Sequence, residues 1–468
     1  MDGLGSCASV DRIKAALEDL PVGLDETYTR SLQGLRFHKD QAVRILQILL
    51  VSSRPLTVEE IYEVTSVNLK ARPGYSIDKD MRMRDLEPLS CLMSSLIKRT
   101  STRFPRISFR GPKGKGYALQ IAHAPVRDYL LSENCEPSFQ ASFTKFTASA
   151  ATVEVCLAYF RSSVANGCLN SFTEYSHESW VNLCRTEGVE EAVYDSILKF
   201  LLFNGFKLFA SLNWQSEADL RYRSACSGSP LYTASRMGLA KTVRRLLEGG
   251  VKANEMAGID GRSEAIASPN SYYQEKLIEY QILEQKEPRN GQSTTLIAQG
   301  GEFGTPLQAA CHLRHIKIPQ LLIENGADVN AHGGRYGCPL QYAAYESSEN
   351  TVNLLLDNGA DVNPQPCGYF GTPLQAACLK ENEKIIQMLL DRGADVNSQP
   401  CENYGTPTPL HEACLNGSEK IIQMLLDLGA DVNPQPRGAY RTPLQVAYSA
   451  PSASKEKIIQ MLLDRGAR

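Results

Sequence analysis

The sequence predicts a mainly α-helical protein whose second half is a stacked solenoid of short two-helix units. Three observations predict it. A Thr-Pro-Leu tripeptide or a near equivalent starts at Ser229, Thr305, Cys338, Thr372, Thr408 and Thr442, and from Pro306 onward the steps are 33, 34, 36 and 34 residues. A second block, Gly-Ala-Asp-Val-Asn, recurs at 326–330, 359–363, 393–397 and 429–433. The eleven residues KIIQMLLDRGA stand unchanged at 384–394 and 457–467, which only duplication explains. Periods of this length mark architectures in which each unit covers the apolar face of its neighbour.

At 468 residues the chain is long enough for about three domains, each with its own core. Its 49 basic and 52 acidic residues leave a net charge of −3, so no global field favours nucleic acid or an anionic membrane. The 13 cysteines are scattered without a Cys-x-x-Cys pair, the usage of free thiols in a reducing compartment. Residues 1–10 lack a basic segment followed by an apolar core, so no signal peptide is expected. The longest apolar stretches, 45–51 and 200–212, fall short of the roughly 20 residues that span a bilayer. Asn204, Gly205 and Lys207 interrupt the second. A cytoplasmic protein is expected, with the nucleus as the alternative location.

Residues 1–20 read as a leading helix or linker. Residues 21–135 read as one α+β domain, with helix signals at 25–35, 41–51, 57–66 and 85–98. Thr57 and Glu60 are spaced as a capping box, each able to satisfy the other's free backbone N–H. Residues 106–110 and 117–122 alternate apolar and polar around a Gly- and Lys-rich turn at 111–116, which predicts a β-hairpin. A short helix follows at 125–131. Helices followed by a hairpin in this order predict a winged helix.

Three segments carry a resemblance. They are Leu20-Pro21-Val22-Gly23-Leu24-Asp25-Glu26-Thr27-Tyr28, Ser53-Arg54-Pro55-Leu56-Thr57-Val58-Glu59-Glu60, and Ala122-His123-Ala124-Pro125-Val126-Arg127-Asp128-Tyr129-Leu130. Over about residues 4–133 the chain is similar to the winged-helix segment of fungal NACHT–ankyrin proteins, NLR-like signalling ATPases of the STAND class. The resemblance implies a nucleotide-binding domain ahead of the winged helix and packed on it. The sequence has no G-x-x-x-x-G-K-[ST] phosphate loop. The Gly/Lys stretch at 111–116 is a hairpin turn that opens no helix, so it lacks the context that cradles phosphates. The chain therefore looks like a truncated member, a fragment or a split gene, and the family's ATPase activity is not carried over.

Residues 136–225 read as a helical connector, clearest at 153–160 and 189–202, and 175–180 resembles the Tyr- and Trp-containing segment found there in the same family. Residues 226–468 are the repeat array. The Thr hydroxyl of each unit can cap its first helix and the Pro suits the first turn. Leu307, Leu340, Leu374, Leu410 and Leu444 then point into the stack. Gly326, Gly359, Gly393 and Gly429 end the second helix in a left-handed cap, and the Asp-Val-Asn that follows turns toward the next unit. From Ser229 to Arg468 this resembles the ankyrin repeat, whose T-P-L-H-x-A pattern is met most closely by Thr408-Pro409-Leu410-His411-Glu412-Ala413. Elsewhere Gln308, Gln341, Gln375 and Gln445 replace the His. The stretch at about 255–303 is a degenerate repeat or an insertion. The last helix, 458–463, is as apolar as the internal ones, so its outer face needs a cover: a further unit, a partner or another copy.

Candidate binding residues fall at two places in the repeat. Aromatics precede each Thr-Pro-Leu register: Phe303, Tyr336, Phe370, Tyr404 and Tyr440. They form a binding ladder or, the favoured reading, stack on one another along the array. Positions that vary between units read a partner better: Glu302, Arg335, Tyr369 and Asn403 one step earlier, and Arg314, His315, Glu346 and Lys380 at the end of the first helix. Neutral drift on a solvated face is the alternative. Cys311, Cys378 and Cys414 share a register that also accepts Ala344 and Tyr448, which suits packing and not a metal. Cys311, His312 and His315 lack a fourth zinc ligand nearby. His411 is expected to bond within its own turn.

The expected function is non-catalytic protein recognition, the sensor half of an NLR-like signalling protein. Its partner is a protein ligand held by the array, with a NACHT domain that is separate or missing. No cofactor or metal is expected, and no Ser/His/Asp, HExxH or G-x-S-x-G signature argues for catalysis. One alternative is a DNA-associated regulator using the basic residues Arg106, Arg110, Lys113 and Lys115, a disfavoured use of nucleic acid. Another is a subunit of a split STAND ATPase.

Overall fold

The computed structural model describes residues 23–34, 39–69, 76–77, 96–102, 116–165, 171–202, 229–254, 304–312, 316–333, 337–365, 368, 371–398, 407–434, 442–449 and 455–468. The chain divides into two compact units, Met1–Phe200 and Leu201–Arg468. Mainly helical structure, expected from the sequence, is what both contain.

The first unit begins with α1 (Leu24–Gln33) and α2 (Lys39–Val51). Strand β1 (Leu56–Thr57) leads into α3 (Val58–Ser66), and β2 (Val67–Asn68) pairs with β3 (Ser76–Ile77). Strands β4 (Ile97–Thr102) and β5 (Gly116–Ile121) pair antiparallel. The short β1 adds to its other edge, giving an antiparallel sheet in the order β1-β5-β4. Helices α4 (Ala124–Leu131) and α5 (Pro137–Gln140) follow, then the long α6 (Lys145–Ala165), α7 (Ser171–Cys184), α8 (Val189–Ala192) and α9 (Tyr194–Leu202).

Two expectations need correction. The strand expected at 106–110 falls outside the described residues, and the strand that pairs with β5 is β4 at Ile97–Thr102. Strand β4 includes Ile97 and Lys98, expected at the end of a helix at 85–98. The segment IKRTST carries no alternation to mark it, and its pairing, Ile97↔Ile121 and Arg99↔Leu119 among the partners, goes with buried Leu96 and Ile97. The helix expected at 189–202 is two helices, α8 and α9, parted at Val193.

The motif residues of this unit meet one another. Glu60 closes the capping box: its backbone N–H donates to Thr57 Oγ1 at 3.0 Å, and its carboxylate accepts from Thr57 N at 2.8 Å. Buried Glu60 is neutralised by Arg54, which donates to both carboxylate oxygens at 2.8 and 3.0 Å. The Arg54 guanidinium also lies over the Tyr175 ring, 5.0 Å from its centre. Tyr129 packs on Tyr28 and its hydroxyl bonds Thr29 Oγ1 at 2.7 Å, tying α4 to α1. Helix α6 packs on α2 and α7 on α3, so 145–184 shares a core with the sheet-bearing part. Trp180, Phe160 and Phe200 fill it edge to face.

The second unit holds six helix pairs among the described residues. They are α10 (Pro230–Met237) and α11 (Ala240–Glu248), α12 (Pro306–His312) and α13 (Lys317–Glu324), α14 (Pro339–Tyr345) and α15 (Glu349–Asp357), α16 (Pro373–Leu379) and α17 (Glu383–Asp391), α18 (Pro409–Asn416) and α19 (Glu419–Asp427), then α20 (Pro443–Ser449) and α21 (Lys455–Asp464). First helices stack on first helices and second on second. The buried rows are the ones the repeat pattern predicts, among them Leu307, Leu340, Leu374 and Leu410 with Leu322, Leu355, Leu389 and Leu425. Each of these leucines is worth about 1.5–3 kcal/mol on burial, which no single pair could gather alone. Helix α10 packs directly on α12, and α11 on α13, while the stretch at about 255–303, expected as a degenerate repeat or an insertion, lies outside the described residues. No helix of the described residues is long and apolar enough to cross a membrane.

Candidate protein-interaction surface

A repeat of this kind has two ends to secure, and the structure shows how. At the start of α16, Gln375 N donates to Thr372 Oγ1 at 3.3 Å while Thr372 N donates to Gln375 Oε1 at 2.6 Å. Thr305 and Gln308 repeat the box at α12. The Gln amide then reaches onward. Gln341 Nε2 donates to Gly371 O at 2.6 Å and Gln375 Nε2 to Pro407 O at 2.7 Å, each in the next unit. Gln308 Nε2 likewise bonds Gly333 O at 3.1 Å and Gly337 O. Sequence reasoning had noted Gln in place of His without giving it this role. The signal was its constancy in a buried register. Gly304 and Gly337 hold left-handed backbone pressed against these glutamines, where a Cβ would collide with the amide.

At the other end, Gly326, Gly359, Gly393 and Gly429 take the expected left-handed caps, with φ between 82° and 86°. The Asp of Asp-Val-Asn accepts from the Asn backbone at 2.9 Å in all four units. The Asn side chain bridges to the next unit. Asn363 Nδ2 donates to Gly393 O at 2.8 Å and Asn363 Oδ1 accepts from Asp395 N at 2.8 Å. Asn254, in the weakened first unit, makes the same pair of bonds to Gly326 O (2.9 Å) and Asp328 N (2.6 Å). His411 bonds Thr408 within its own turn at 2.7 Å, as expected.

Of the candidate binding residues, Glu346 and Lys380 are described. Glu302, Phe303, Arg314, His315, Arg335, Tyr336, Tyr369, Phe370, Asn403, Tyr404 and Tyr440 lie outside the described residues, as do Arg106, Arg110, Lys113 and Lys115. Glu346 and Lys380 share one register, and each reaches back one unit. Glu346 Oε1 is 3.2 Å from His312 Nδ1. Burial, with Arg236 nearby, holds the His312 ring neutral by lowering its pKa to about 4. Lys380 Nζ sits 4.1 Å above the Tyr345 ring. Asn416, the next in register, donates to Cys378 O at 3.1 Å. These variable side chains therefore form a row in which each is set by the unit before it.

Glu412 is different. It is 8% exposed, in the register that holds Ala309, Tyr342 and Ala376, and its Oε2 has no hydrogen-bond partner among the described residues. Burial alone raises its pKa to about 7. Cys311, Cys378 and Cys414 are buried free thiols, and burial pushes Cys414 up to about 12, so they pack and do not react.

Comparison with known proteins decides what these pairs are. A family model described as ankyrin repeats matches residues 264–366 and 365–436. The array is built of ankyrin repeats. Its helix pairs at 230–248 and 443–464 repeat the same caps and ladder outside the matched residues. Among curated proteins, the azaphilone pigments biosynthesis cluster protein L of Monascus ruber is similar, 28% identical over 337 residues. That match covers 67% of this chain and 61% of the relative, so the chain spans less than two thirds of that protein's length. Among solved structures, the human ASB11 ankyrin repeat domain is similar at 23% identity and a TM-score of 0.35, covering 51% of this chain and 84% of that one. Ankyrin repeats make the second unit a protein-interaction module.

Proposed function

We propose that this chain is a non-catalytic recognition protein, the sensor half of an NLR-like signalling protein, whose ankyrin array binds a protein ligand. One observation carries the reading. An Asn rung fixes each of the five described junctions of the array in the same way and a Gln amide reinforces three of them, while Glu346, Lys380 and Asn416 put different chemistry at one repeated position. A rigid frame with a variable row is what a reader of protein surfaces needs. It loses little entropy on binding and keeps its specificity in the side chains. Residues such as Glu302, Arg335, Tyr369 and Asn403 would extend the row into the fingers.

The relay role belongs to the first unit. A sheet ordered β1-β5-β4 after helices α2 and α3 supports a winged helix, and the Arg54, Glu60, Tyr28 and Tyr129 contacts give the family's motif residues a structural purpose. That part would restrain or relay a NACHT domain supplied separately. The test is capture by the full chain against a variant with Glu302, Arg335, Tyr369 and Asn403 changed to Ala. Loss of a specific captured protein with an unchanged melting curve supports the reading. Saturable ATP binding by the full chain would sink it in favour of a split ATPase.

A second reading has its own observation. Lys98 and Arg99 are exposed on β4, at the base of the basic run that continues through Arg106, Arg110, Lys113 and Lys115. It requires duplex-DNA binding that falls steeply with salt and vanishes when Arg110, Lys113 and Lys115 become Ala.

A further inference from the structure

One register of the array holds a residue that packing does not ask for. The fifth residue of each first-helix motif is Ala309, Tyr342, Ala376 or Val446 in the other units from Thr305 onward, and Glu412 in α18. A carboxylate taken out of water without a partner is costly. Glu412 has none: among the described residues nothing bonds its Oε2, and burial, unopposed by any cation, is what raises its pKa. Lys380, the cation of the variable row, turns back over Tyr345, away from the unit of Glu412.

The neighbours of Glu412 show which way it faces. Burial, and after it the charge of Glu412, push the Cys378 thiol up, so the carboxyl lies toward α16. Asn416, one turn further along α18, crosses the same seam and donates to Cys378 O at 3.1 Å. Leu415, three residues on from Glu412 and so on the same side of the helix, is 51% exposed. Leu379 stands half-buried on the α16 side. The seam between α16 and α18 thus has an acid sunk in it and leucines at its edge. The acid is not sealed, since the residue keeps 8% of its surface.

We propose that this seam receives a lysine side chain of the partner polypeptide, its ammonium on the Glu412 carboxylate and its methylenes along Leu379 and Leu415. The proposal rests on the recognition reading above and adds a chemical demand on the ligand. A sunken carboxylate calls for a compact charge on a long, thin, apolar stem, which lysine supplies. Arginine suits the seam less, because its planar fork needs both oxygens open and Oε2 is enclosed. Selectivity follows from what the free chain lacks. An alkyl side chain entering the seam would leave the carboxylate dry and unpaired, whereas an ammonium offsets that cost.

The test starts from phage that display random twelve-residue peptides. They are selected on the immobilised full chain at pH 8 and then depleted on the Glu412→Gln variant, which keeps the shape of the side chain. Surviving peptides should carry a lysine. Fluorescein-labelled copies should bind the natural chain saturably by anisotropy. Affinity should fall about tenfold or more when that lysine becomes norleucine, and equally when Glu412 becomes Gln. Leu415→Ser should weaken binding severalfold, with the circular dichroism melting curves of both variants showing that the fold is kept. A depletion that leaves no peptide, survivors without lysine, or binding indifferent to norleucine each overturns the proposal. Capture lost through Glu302, Arg335, Tyr369 and Asn403 is read separately. If that capture is specific while this test fails, the lysine seam alone falls; if both fail, the recognition reading falls with it.

Discussion

Asn330 and Asp361 meet across the junction of two ankyrin units: the Asp361 backbone N–H donates to Asn330 Oδ1 at 2.7 Å. The same asparagine gives its own amide hydrogen to Gly359 O at 3.0 Å. One side chain satisfies two backbone groups that the end of the helix would otherwise leave open. The arrangement recurs from Asn254 to Asn433.

Asn363→Ala removes both bonds of one rung. These groups are exposed and water competes for them, so each bond is worth about 0.5–1.5 kcal/mol. The variant should lose about 1–2 kcal/mol of array stability, read as a lower urea midpoint. An unchanged midpoint would mean that the ladder follows from stacking and does not hold it.

Ser347 and Glu381 take left-handed backbone, with φ of 59° and 56°, where other units place Gly238 and Gly417. Glu381→Gly should therefore stabilise the protein, by about 1 kcal/mol, although it removes a side chain. Thermal melting of Glu381→Gly and Ser347→Gly checks this. A fall in melting temperature in both would show that these side chains contribute more than the strain costs.

Glu412 makes stability depend on pH. Its carboxyl is raised to about 7 in the folded chain from the ordinary 4.5, so the folded state holds its proton over that window. The contribution is fully present below pH 4.5 and is lost as the pH rises through 7. Glu412→Gln keeps the shape and removes the titration. Its advantage over the natural chain should be small at pH 5 and reach about 2–3 kcal/mol at pH 8. Parallel melting curves at both pH values would refute the assignment.

Leu426 and Leu463 hold the same place in identical helices with opposite fates. Leu426→Ala opens a cavity in a filled junction and should cost about 2–5 kcal/mol. Leu463→Ala, at a face 43% exposed, should cost less than about 1 kcal/mol. Equal losses would show that the last pair is packed like the internal ones.

The repeat was legible because its parts obey local rules. Thr before Pro, Gly after the second helix and a fixed period each have a local cause, and their helices, caps and buried leucines stand where the sequence put them. The Gln ladder was less legible, because its acceptors are backbone carbonyls about 30 residues away that no side-chain pattern marks. Strand β4 was illegible for a related reason. Its residues Ile97-Lys98-Arg99-Thr100-Ser101-Thr102 show no alternation of apolar and polar side chains, and only pairing with β5 marks them as a strand. Glu346 and Lys380 were chosen for their variability. Their attachment to His312 and Tyr345 of the preceding unit depends on how far apart neighbouring first helices stand, which a sequence does not state.

The interchangeable junctions set how such a gene can change. If recombination between the duplicated stretches deleted residues 398–433, Asn397 would inherit the partners of Asn433, Gly466 O and Arg468 N, and Lys457 would face Glu383 in place of Glu419. The Asn rung and the Lys–Glu pair would survive, and only contacts private to the deleted unit, such as Thr408–His411 and Asn416–Cys378, would go with it. Whole modules can thus be dropped or gained with these joints remade from residues already in place, so the number of units is freer to change than an asparagine within the ladder.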